Sequence, residues 1–76
     1  MKYNYIKIDG ASKEDIICAY QRLYFNGNVK EIMEYCDKLS AMKFENMLLE
    51  MAKKHEDLLI FTRNRELHDW IVENRF

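Results

Sequence analysis

A chain of 76 residues has room for one hydrophobic core, so a single compact domain over residues 1–76 is expected and a second domain is excluded. Its 12 basic and 13 acidic side chains are mixed along the whole length, for a formal net charge of −1, which argues against both a basic face built for the phosphate backbone and a strongly acidic mimic of DNA. A hydrophobic content of 49% excludes disorder for all but the ends, and no segment reaches the roughly 20 apolar residues of a membrane span.

Tyr3 to Asp9 read as a strand. Tyr and Ile favour extended backbone, Gly10 ends the run, and a period of two sets Ile6 and Ile8 on one face with Tyr3 and Tyr5 on the other. A first helix follows over Lys13 to Phe25, with Ser12 as N-cap, Glu14 and Asp15 in its first turn and Asn26-Gly27 as its stop. At about 100° per residue its stripe is Ile16, Ala19, Tyr20 and Leu23, with Ile17 and Tyr24 at the edge and Phe25 opposite. Asn28 followed by Glu31 resembles a capping box for a second helix, Val29 to Leu39, whose apolar positions Val29, Ile32, Cys36 and Leu39 recur at spacings of three and four.

Ser40 is expected to cap a third helix, Ala41 to about Lys54, the alternative being one long kinked helix made from the second and third. The stripe Ala41, Phe44, Met47, Leu48, Met51 and Ala52, widened by Met42 and Leu49, covers more than half the circumference, so this helix should be covered on two sides. A charged cluster from Lys53 to Asp57 then separates it from a short second strand, Leu58 to Thr62, the other reading of that run being a continuation of the helix. Asn64 caps a last helix with the stripe Leu67, Trp70, Ile71 and Asn74, and Phe76 ends the chain. The expected class is α+β in the order β-α-α-α-β-α, with a two-stranded sheet covered by helices, because two strands alone are marginal in water.

No motif in this order carries catalysis. Cys18 or Cys36 with His55 or His68 are the nucleophile and base types present, but their spacing implies no proximity; they read as reduced, packed thiols and ordinary histidines. His55 falls near the C-terminus of the third helix, where an imidazolium would stabilise the dipole. Without Cys-x-x-Cys or close histidine pairs no metal is expected, and Gly10 and Gly27 stand too far apart for a phosphate-cradling loop, so no cofactor is expected either. The first two helices and their Phe25–Asn28 turn resemble a helix-turn-helix, yet Lys30, Glu31, Glu34, Asp37 and Lys38 make the outward face of the second helix net acidic, which opposes entry into a major groove.

Two features remain. Arg63 and Arg65 stand at the start of the last helix, where the dipole disfavours them; with Lys53 and Lys54 they form a candidate contact for an anion or acidic partner. Five tyrosines, four phenylalanines, one tryptophan and five methionines are more large apolar side chains than so short a chain buries easily. Tyr24, Phe25, Tyr35, Met42 and Leu49 lie at the edge of the core stripes or outside them, and are the candidate partner-binding patch. The expected function is a non-enzymatic interaction module in the cytoplasm, a regulator or inhibitor that binds a larger protein or a second copy of itself. No membrane partner is expected, and the size with the Lys-, Asn- and Ile-rich composition fits a phage or other mobile element. The alternative is a nucleic-acid binder using Arg63, Arg65, Lys53 and Lys54, with stacking from Tyr3, Tyr5 or Trp70.

Overall fold

The computed structural model describes residues 2–25 and 29–75; the expected Asn26-Gly27 stop and Asn28 cap lie outside the described residues, as does Phe76. The elements are β1 (Asn4–Lys7), α1 (Lys13–Tyr24), α2 (Val29–Ala41), α3 (Phe44–Lys54), β2 (Leu58–Phe61) and α4 (Arg65–Arg75), an α+β domain in the expected order. β1 and β2 pair in parallel, with Ile6 opposite Ile60 and Lys7 opposite Phe61. Parallel neighbours need a long crossover to bring the chain back to the same end of the sheet, and α1, α2 and α3 together supply it.

The helix boundaries have local causes. Ser12 Oγ accepts the Asp15 N–H at 3.1 Å while the Asp15 carboxylate accepts the Ser12 N–H, a reciprocal cap that starts α1. Asn64 Oδ1 accepts the Leu67 N–H at 3.1 Å at the head of α4. The break between α2 and α3 is real but does not use Ser40. That hydroxyl donates to the Cys36 carbonyl at 2.8 Å, one turn back, and stays inside α2. The chain breaks after Ala41 instead, and Lys43 precedes α3 with no side-chain cap. There the Lys13 ammonium, reaching over from α1, binds the Ser40 carbonyl at 2.7 Å and the Met42 carbonyl, so α1 fixes where α2 ends.

α1 packs on β1 and on α2, while α3 packs on β2 and on α4. Met47, Leu48, Met51 and Ala52 of α3 have no exposed surface, as a helix covered on two sides requires. Ile6, Ile8 and Leu58 from the strand segments, Ile16, Ile17 and Tyr20 from α1, Leu39 from α2 and Ile71 from α4 complete the core. The buried arc of α1 is turned toward Ile17, leaving Leu23 38% exposed, because this helix fits between β1 and α2 rather than against one neighbour. Cys36 is buried, whereas Cys18 is exposed rather than packed as expected, and both are free thiols. Among the described residues no helix is long and apolar enough to cross a membrane.

Candidate interaction surface

The ladder between the strands fixes which groups face where. The Asn4 N–H donates to the Asp57 carbonyl at 2.9 Å and the Ile8 N–H to the Phe61 carbonyl at 3.1 Å. A period of two then directs the backbone of Asp57, Leu59 and Phe61 toward β1, and that of Leu58 and Ile60 toward the opposite, free edge of β2. Side chains alternate as well. Ile6 and Ile8 with Leu58 and Ile60 point into the core, while Tyr5, Lys7, Leu59 and Phe61 point to the other face.

Among the described residues that other face is open. Tyr3 is 44% exposed, Tyr5 55% and Phe61 50%, and the Tyr5 and Phe61 rings stack with centroids 5.1 Å apart. Parallel sheets nearly always have both faces covered, so an aromatic face without a covering layer is unusual. The period-two pattern already separates Tyr3 and Tyr5 from Ile6 and Ile8; it does not reveal that no other described residue covers them. Phe61, read only as part of the short second strand, is the residue that sequence reasoning missed.

Beside this face runs a groove. The chain turns after β2, and α4 returns along the free edge of β2. At the turn, the Asp9 carboxylate accepts Thr62 Oγ1 and the Arg63 N–H, each at 2.7 Å, tying the ends of the two strands together. These bonds, Thr62 first, hold the Asp9 carboxyl below its usual range. At the other end, the Arg75 guanidinium donates to the Leu58 carbonyl at 2.8 Å and the His55 carbonyl at 2.6 Å, pinning the last turn of α4 to the strand. Between the two ties lies a cavity of about 520 Å³, with Leu59, Ile60, Ile71 and Val72 along it and Arg63 and Arg65 toward the turn.

The expected partner-binding residues are placed elsewhere. Tyr24, Phe25 and Tyr35 come together, but half-buried around the fully buried Tyr20 and against the core; Met42 also packs on the core, and Leu49 is half-buried on α3. Tyr20 Oη lies 2.7 Å from His55 Nε2, the Tyr24 ring stacks on the His55 ring at 3.7 Å, and the Lys54 ammonium sits 3.9 Å from the centre of the Tyr35 ring. Burial lowers the His55 pKa from 6.5 and so favours the neutral ring, whose Nε2 shares a hydrogen bond with the Tyr20 hydroxyl. The same burial disfavours the imidazolium expected at the C-terminal end of α3. Burial also raises the Tyr20 pKa, with the Tyr35 hydroxyl the next contributor, and keeps the phenol protonated.

The expected anion contact is likewise divided. Lys54 belongs to the aromatic group and exposed Lys53 adjoins it in sequence, both before β2, whereas Arg63 and Arg65 follow β2. Trp70 packs partly buried against the core. Cys36 Sγ accepts Gln21 Nε2, and His68 Nδ1 lies 3.3 Å from Asp69 Oδ1. No protein family, curated protein or solved structure matches this chain.

Proposed function

We propose that this chain is a non-enzymatic protein-binding module, a small regulator or inhibitor that contacts a larger protein, or a second copy of itself, through the outer face of its sheet. The observation that carries this reading is the half-exposed Tyr5–Phe61 stack on a parallel sheet face with no described covering layer. A partner laid there provides the missing layer, and aromatic rings give it large contact area at low entropic cost. Tyr3, Tyr5 and Phe61, each exposing close to half of ~200 Å², offer about 300 Å², the scale of a functional patch on a monomer. A standard interface takes about 800 Å² from each partner, so the contact extends past these rings onto Lys7, Arg63 and the neighbouring groove. The free thiols Cys18 and Cys36 suit a reducing compartment such as the cytoplasm.

A second reading rests on the same rings. Single-stranded nucleic acid can stack on Tyr5 and Phe61 beside the cations of Lys7 and Arg63, with each stacked base contributing about 1–3 kcal/mol. Affinity capture with wild type and with Tyr5→Ser/Phe61→Ser as baits separates the two. The protein reading expects a protein retained in stoichiometric amount by wild type, lost by the double variant and little affected by salt. Retained oligonucleotide that elutes steeply with salt supports the second reading. Equal retention by both baits removes the outer face from the account.

A further inference from the structure

The groove between β2 and α4 joins three features that no element of the chain itself uses together. One wall is a strand edge: Leu58 and Ile60 direct their backbone groups away from β1, and the Leu58 carbonyl is already taken by Arg75, which leaves Ile60 at the middle of the edge. The opposite wall is α4, where Val72 is 51% exposed beside buried Ile71. Charge is concentrated at the turn. The groove is lined by Arg63, Arg65 and Arg75 against one carboxylate, Asp69, with the Asp9 carboxylate beside Arg63 at the turn and Arg65 without a close carboxylate there among the described residues, in a chain whose formal net charge is −1. Arg75 is committed to backbone carbonyls, while Arg63 and Arg65 are exposed at the other end of the groove.

We infer that the groove takes an extended peptide segment of a partner protein ending in a free carboxylate, seated as a third strand parallel to β2, with the carboxylate at Arg63 and Arg65. This rests on the reading of the chain as a protein-binding module and names the chemistry of its partner. A strand added at this edge gives Ile60 N–H and C=O the ladder partners they lack, its alternate side chains meet Val72 and Leu59, and its terminal charge arrives where guanidinium groups can grip it in bidentate fashion. The volume of about 520 Å³ suits a short segment of a few residues rather than a folded element. Direction follows from charge. The arginines stand at the C-terminal end of β2, so a strand delivering its C-terminus there runs parallel and extends the sheet already present.

The test titrates the ¹⁵N-labelled full chain with an alternating valine–threonine hexapeptide carrying a free C-terminal carboxylate, and with the same peptide amidated. The expected result is saturable shifts at the Ile60 and Val72 amides, slower hydrogen exchange at Ile60, and about tenfold tighter binding of the acid than of the amide, the scale of one charge-assisted contact. Arg65→Glu abolishes the preference for the acid, Val72→Glu weakens both peptides, and Met33→Ala, on the exposed side of α2, binds as wild type. No saturation at millimolar peptide, equal affinity for acid and amide, or shifts confined to Tyr5 and Lys7 overturns the inference. Groove failure with partner capture intact overturns this inference alone, whereas a wild-type bait that captures no protein overturns the module reading.

Discussion

The aromatic residues divide into two groups that differ in everything except composition. Around Tyr20, the rings of Tyr24, Phe25, Tyr35 and His55 lie within 6.0 Å centroid to centroid, half-buried or buried, joined by a hydroxyl-to-imidazole hydrogen bond and topped by the Lys54 ammonium. On the outer face of the sheet, Tyr5 and Phe61 stack on each other with about half their surface in water, and Tyr3 is 44% exposed nearby. The first group fills the space where α1, α2 and the end of α3 meet, so its apolar surface is satisfied within the chain. The second has no such neighbour among the described residues. Surplus apolar content therefore points to a contact surface only where the fold leaves it uncovered; among the described residues the outer face of β1 and β2 is the place where exposed aromatic rings stack on each other, while Val29 and Met33 are exposed on α2.

Breaking the inner group should produce the largest effect. Tyr20→Ala removes a fully buried ring and leaves His55 without its hydrogen-bond partner, and the expected loss is about 4 kcal/mol, read from urea unfolding. Tyr35→Ala deletes a half-buried ring of the same group, with about 2 kcal/mol expected by the same measurement. If instead Tyr35→Ala leaves stability unchanged and abolishes partner capture, the contact surface moves to the α1–α2 side and the comparison inverts.

A pH series sharpens the contrast, because only the inner group contains a perturbed histidine. The folded-state pKa of His55 lies below the unfolded value of 6.5, so between the two the unfolded chain binds more protons. Its contribution to stability is complete above about pH 6.5 and is lost as the pH falls below that value. Urea midpoints at pH 5 and pH 7 should therefore differ, and His55→Gln should reduce the difference. At the small end, Lys38→Met breaks an exposed ion pair with Glu50 of 3.6 Å and should change stability by less than about 0.5 kcal/mol.

Much of the architecture was legible because it depends on local signals. Ser12 and Asn64 cap as their side chains predict, the period of two separates Ile6 and Ile8 from Tyr3 and Tyr5, and the wide apolar arc of α3 marks the most buried helix. The missed features are tertiary. Where α2 ends depends on Lys13 arriving from another helix, and no propensity at Ser40 contains that information. The burial that lowers the His55 pKa depends on packing against Tyr20 and Tyr24, far away in sequence, although the neighbouring charges of Asp57 and Lys54 also act on it. The open sheet face is harder still, since an apolar run such as Leu58 to Phe61 looks the same whether a helix covers both its sides or one.

The most direct measurement is the urea-unfolding stability of Tyr5→Ser/Phe61→Ser beside that of wild type. If the outer rings are surplus to the fold, the double variant unfolds cooperatively with a loss of about 1 kcal/mol, the worth of one cross-strand aromatic contact. A loss of about 4 kcal/mol or more, matching Tyr20→Ala, would show that these rings hold the sheet together and would contradict the assignment of this face to a partner.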